Sequence, residues 1–189
     1  MDCSKITQGL QAVICNVPAI PGAGSQVILL NYSDIDRKLS EVTDNVISSI
    51  ILKGTAKGYK FETIDKSVLG EISLNKGTYF SSWQHDLTLR IFVKKEDAKK
   101  FVNNFNSARV IPIIENKELG PNGETKYEAY GWDSGLELNE APSSTDMADL
   151  VVYQIKLGSG DKSKESSLPK SVFKTDLAQT ELMLEALVA

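Results

Sequence analysis

A hydrophobic period of two constrains this chain more than any other feature. Leu87, Leu89, Ile91 and Val93 alternate with Thr88, Arg90 and Phe92. Successive side chains of a strand point to opposite faces, so the pattern specifies a β-strand with one buried face. The same period, or a short apolar run between turn residues, recurs at 26–31, 48–53, 58–64, 67–75, 109–115, 125–132 and 150–157. About eight short strands result, and they predict a mainly β fold, a β-sandwich or half-barrel.

Local chemistry refines this. Gly54-Thr-Ala-Lys-Gly58 lies between two strand segments and reads as a hairpin turn, with Tyr59, Phe61 and Thr63 on one face of its second arm. Pro112 lacks a backbone donor, so the strand around it is expected at a sheet edge or at a bulge. One helix interrupts the strands. Across 95–105, Ala98, Phe101, Val102 and Phe105 recur at helical spacing, with Glu96 and Asp97 in the first turn where the dipole favours anions. Phe101 and Phe105 are expected to anchor this helix on the sheet. The basic group Lys94, Lys95, Lys99 and Lys100 is interleaved with those acids and reads as the helix's wet face. Gly131 and Gly135 are expected to permit a turn or a close approach that a Cβ would block.

Three regions follow from composition. Residues 1–25 carry Pro18, Pro21, Gly22 and Gly24 and read as an N-terminal arm or loop. Residues 26–157 form the β-sandwich domain. From Gly158 the chain turns Gly/Ser/charge-rich, so 158–189 reads as a linker and a C-terminal helical arm. Thr175 or Asp176 would cap a helix over 177–188. That helix is too short and too apolar to stand alone in water, so it folds back on the body or docks on another subunit. Leu182, Leu184 and Leu187 are the candidates for an inter-subunit contact, and truncation at Gly158 is expected to spare the fold while weakening assembly.

The chain has 189 residues with 21 Lys+Arg against 25 Asp+Glu, a net charge of −4. That balance is poor for general phosphate binding, which needs clustered cations. Apolar runs such as Val27–Leu30 fall far short of the roughly 20 residues that span a bilayer, and Met1-Asp2-Cys3-Ser4-Lys5 does not read as an export signal. Cys3 and Cys15 cannot alone make a tetrahedral zinc site. Free thiols are the expectation, with a Cys3–Cys15 bridge left open.

Chemistry-bearing motifs are lacking. His85, the sole histidine, stands in Ser81-Ser-Trp-Gln-His85-Asp86, where it reads as a rim or turn residue, since adjacency in sequence is not triad geometry. Asp34, Asp36, Glu41 and Asp44 lack the glycine and closing Glu of a calcium loop and read as a solvated turn. No catalytic residue, cofactor or metal is expected. The notable features are mechanical: many strands, and segments at both ends that could cover or extend a neighbour's sheet by β-augmentation.

Three stretches together resemble bacteriophage virion proteins. Cys3…Ile6-x-x-Gly9…Cys15…Pro21-Gly22…Val27-Ile-Leu-Leu-Asn31-Tyr-Ser-Asp34 resembles virion proteins of Bacteroidetes-type phages. Asp86-Leu-Thr-Leu-Arg-Ile-Phe, the 95–105 helix and Val110-Ile-Pro-Ile-Ile-Glu115 are similar in layout to phage tail tube proteins. Tyr127-Glu-Ala-Tyr-Gly131-Trp-Asp-Ser-Gly135-Leu-Glu-Leu138, with 150–157, looks like a strand pair common in them. The resemblance implies a β-sandwich flanked by a helix and a self-assembling ring, often hexameric, in the virion tail. Neighbouring tail or connector proteins would be its partners, with assembly in the host bacterial cytoplasm. DNA would pass transiently through the lumen, and no membrane would be involved. An acidic wall suits that passage, because it repels phosphate. A head–tail adaptor, a capsid decoration protein and a soluble host binding module remain alternatives.

Overall fold

The computed structural model describes residues 22–62, 67–78, 81–92, 94–143, 153–160 and 164–189. Its two most apolar strands, β1 (Ala23–Asn31) and the strand Arg109–Asn116, pair antiparallel in the middle of the fold, with Ile28 opposite Ile113 and Leu30 opposite Ile111. Val27, Leu29, Val110 and Ile114 face one core, while Ile28, Leu30, Ile111 and Ile113 face another. Burial on both faces explains why Val27-Ile-Leu-Leu30 is a continuous apolar run rather than an alternation. Each such side chain contributes about 1.5–3 kcal/mol when fully buried.

In chain order β1 is followed by β2 (Glu41–Thr43), β3 (Val46–Ser49), β4 (Tyr59–Glu62), β5 (Val68–Lys76), β6 (Ser81–Ile91) and helix α1 (Glu96–Asn104). The central Arg109–Asn116 strand is β7. Then come β8 (Tyr127–Ala129), β9 (Leu136–Glu140), β10 (Tyr153–Gly158), β11 (Lys170–Val172) and helix α2 (Leu177–Val188). The fold is mainly β, and the described residues form an open eleven-stranded sheet of sandwich or half-barrel type. Its main path runs β2-β3-β11-β8-β7-β9-β10-β6-β5, and β1 pairs on to both β7 and β4. The first core packs β1 and β7 against Val68, Leu87, Leu89, Ile155, Leu157 and α1. The second packs their other faces against Ile47, Val172 and, from α2, Leu184 and Leu187.

Pro112 lies in the interior of the sheet rather than at an edge, because β7 is flanked by β1 on one side and by β8 and β9 on the other. The Tyr130 N–H donates to the Pro112 carbonyl at 2.9 Å, so Pro112 turns its backbone toward β8 and β9. β8 covers Ile113–Glu115 and β9 covers Arg109–Val110, and Pro112 falls in the gap between them. The missing donor faces the turn residue Tyr130, so no bond within β8 or β9 is lost.

The hairpin expected across Gly54–Gly58 does not form. β3 pairs with β2 and β11, whereas β4 pairs with β1. The two arms serve different cores: Ile47 of β3 lies in the second, and Phe61 of β4 packs against the first. The helix expected over 95–105 is observed over Glu96–Asn104, and the one over 177–188 coincides with α2. Asp176 caps α2 by accepting from the Gln179 N–H at 2.8 Å.

The region read as linker and arm is part of the body. β11 is inserted between β3 and β8, and Val172 is fully buried. Leu184 and Leu187 of α2 are likewise covered by this chain itself. At the other end, β1 begins at Ala23, inside the segment read as an arm; Cys3, Cys15 and the N-terminal resemblance lie outside the described residues. Among the described residues no helix is long and apolar enough to cross a membrane.

Candidate interaction surfaces

Phe105 is buried, and Phe101 packs at the edge of the same core. Phe101 stacks on Phe61 with centroids 5.4 Å apart and meets Phe105 edge-on at 5.1 Å, so α1 is fastened to β4 by aromatic contact. Gly131 and Gly135 have φ of +67° and +76° and bound the turn between β8 and β9. A Cβ on Gly131 would lie 2.7 Å from Leu136, and one on Gly135 2.7 Å from Arg109. Leu184 and Leu187 are only 3% and 7% exposed, so they are core residues and not a contact surface; Leu182 alone, at 58%, faces outward.

His85 is neither at a rim nor in a turn. It lies within β6, buried, with Nδ1 accepting from the Gly131 N–H at 3.1 Å and Nε2 3.0 Å from the Ser167 carbonyl. Those partners assign the neutral tautomer with the proton on Nε2. Burial holds its pKa below the usual value, against the pull of Glu165 and Asp133. Glu165, equally buried, accepts from the backbone N–H groups of Asp133 (2.8 Å) and Ser134 (2.9 Å) and from the Ser134 hydroxyl. Asp133 accepts from the Ser166 N–H at 3.1 Å and from its hydroxyl, and stands 3.8 Å from Lys170 Nζ. Burial opposes its charge, but the Ser166 bonds and the cations Lys170 and Arg37 hold its carboxyl below the usual range. The Arg37 guanidinium lies between the Tyr32 and Trp132 rings, 4.8 and 4.4 Å from their centroids, and stiffens the same turn. His85, Glu165 and Asp133 each bond backbone groups, so the cluster ties the C-terminal segment to the sheet.

The most open backbone lies on β5. Its nine residues pair with β6, and among the described residues nothing pairs with its other edge. Hydrogen bonds on β6 fix which residues face out. Ser159 donates to His85, and Trp83 and Glu165 exchange both bonds, so odd residues of β6 turn toward β10 and its continuation. Arg90 donates to Ser67, so even residues turn toward β5. With the observed register, Gly70, Ile72, Leu74 and Lys76 then direct their N–H and C=O groups outward. Leu69, Ile72 and Leu74 are 42%, 40% and 44% exposed. Among the described residues β10 and Glu165 cover β6 only as far as Trp83, so Asn75 and Lys76, opposite Ser82 and Ser81, reach past those neighbours.

Sequence reasoning found this strand but not its place at the end of the sheet. One signal was available. Leu69 has the opposite parity to Ile72 and Leu74, and a strand with apolar side chains on both faces and charge between them fits no one-sided sheet.

No family model matches the chain, and no curated protein or solved structure is similar to it.

Proposed function

We propose that this chain is a non-enzymatic virion structural protein of a bacteriophage, a tail tube or related tail-ring subunit that assembles with copies of itself. The observation that carries the reading is the β5 edge, which is unpaired among the described residues and bordered by exposed Leu69, Ile72 and Leu74. Long apolar edges recruit another strand, and native monomers normally blunt them with short strands, charge or a cover. Use of the buried polar groups around His85, Glu165 and Asp133 to hold backbone also supports a structural role. The net charge of −4 suits a surface past which DNA moves without sticking.

Negative-stain imaging of the purified full chain, alone and with its particle components, tests this. Rings or short tubes support the reading, and labelled antibody on intact particles then marks the tail. Labelling of the capsid shell would replace the tail role with decoration. A well-folded monomer that never joins a larger structure would overturn it.

A further inference from the structure

We propose that β5 pairs antiparallel with β5 of a second copy of this chain, about a two-fold axis at Ser73. The inference rests on the reading of the chain as an assembling subunit and names one of its contacts. Being two-fold, the contact joins copies in pairs, so two rings could meet face to face through it while other edges serve contacts around a ring.

The backbone restricts the register. Outward groups belong to even-numbered residues, so an identical antiparallel strand must oppose even to even. Centring on Ser73 does so: Ile72 meets Leu74 of the second copy, Gly70 meets its Lys76, and Glu71 meets its Asn75. A slip by one residue would set outward groups against groups that point back into the other copy's own sheet. Centring on Ile72 or Leu74 keeps the parity but places Lys76 against Val68, a buried core residue, or against Ile72.

Side chains agree with the same register. Ile72 and Leu74 share a face, and the axis gathers both copies' pairs into one apolar patch, covering side chains left 40% and 44% exposed in the single chain. On the opposite face Glu71 meets neutral Asn75, and no like charges oppose each other.

Charge completes the fit. Beside Gly70 lies an open groove of about 790 Å³, lined in part by Glu118, Glu128 and Tyr130. Lys76 of the second copy would arrive opposite Gly70, on the face that looks onto this groove. Gly70 leaves the approach clear, since a Cβ there would already lie 2.6 Å from Tyr130 Oη. Burial raises the Glu128 carboxyl's pKa against a hydrogen bond from Asn116, and an incoming ammonium would supply the missing countercharge. The two-fold axis provides this pairing twice.

Cross-linking tests the register. In the full chain carrying Cys3→Ser and Cys15→Ser, Ser73→Cys puts two thiols at a non-hydrogen-bonded antiparallel pair, where Cβ atoms stand about 4.5–5.5 Å apart. That is close to disulfide reach. Mild oxidation should give a covalent dimer, whereas Glu71→Cys, out of reach of its own copy in this register, should not. Lys76→Glu, at an exposed position, should raise the dimer dissociation constant by about tenfold or more. Assembly that persists without the Ser73→Cys cross-link, or that Lys76→Glu leaves unchanged, overturns this contact and leaves the assembling subunit standing. A chain that is monomeric at every concentration overturns both.

Discussion

Glu165 caps the backbone of Asp133, and Asp133 caps the backbone of Ser166, the residue after Glu165. One carboxylate oxygen of Glu165 accepts the Asp133 N–H at 2.8 Å, and the Asp133 carboxylate accepts the Ser166 N–H at 3.1 Å. This exchange joins the turn between β8 and β9 to the strand-like residue that continues β10 along β6. It places the segment that follows, with β11, within the sheet.

Removal of that segment should therefore unfold the chain. Truncation after Gly158 takes β11 from between β3 and β8 and removes Leu184 and Leu187 from the second core. Far-ultraviolet circular dichroism and a thermal melt should show no cooperative transition. A milder change, Glu165→Ala, leaves two backbone donors without partners and should cost about 1.5–3 kcal/mol in chemical denaturation.

Acid should loosen the fold through His85. Burial depresses its folded-state pKa below the ordinary value of 6.5, so the unfolded chain takes up the proton first. The stability it contributes is complete above pH 6.5 and is lost as pH falls from there through the lower folded-state value. The slope approaches about 1.4 kcal/mol per pH unit. Asp133, also depressed, adds a further loss at lower pH, while Glu128, whose pKa is raised, acts in the opposite sense because its protonated form favours the fold. His85 is the only histidine. Stability plotted against pH should therefore flatten just below pH 6.5 in His85→Gln.

The leucines of α2 should separate by burial. Leu184→Ala should cost about 2–5 kcal/mol, and Phe105→Ala about 3–5. Leu182→Ala, at an exposed position, should stay within about 0.5 kcal/mol of the parent. Urea midpoints at constant slope measure all three.

Gly131→Ala should destabilise by about 1–3 kcal/mol. Its backbone is left-handed, and the added methyl meets Leu136 at 2.7 Å. The same substitution at Gly54, also left-handed but with open space at its Cβ, should cost less. Paired thermal melts decide whether the close contact or the dihedral dominates.

Much of this fold was legible where signals are local and repeat. Leu87–Ile91 shows its period, the 95–105 stripe reads as a helix, and Asp176 announces α2 as its N-cap. β2 and β11 leave no readable signal, because three residues span too little of a period to register, while β8 occupies only the middle of the strand expected over 125–132. The Gly/Ser/charge-rich stretch after Gly158 looked like a linker because composition reports solvation and not pairing. Its place is set by the buried Glu165, whose partners lie about 30 residues earlier in the chain. Of the candidate residues, Phe101, Phe105, Gly131 and Gly135 play the parts their types suggested. The α2 leucines could not be sorted in advance, since that helix is apolar over most of its surface and shows no single stripe.

Light-scattering mass across a concentration series, comparing the full chain with Leu74→Pro, tests the assembling role most directly. Proline at 74 removes an outward N–H and leaves the bonds between β5 and β6 in place. The account predicts a parent mass rising well above the 20.7 kDa of one chain, and a folded variant whose mass rises less at every concentration. A parent that stays at one-chain mass at every concentration would contradict the assembling role, and a variant that assembles as the parent does would contradict the β5 contact.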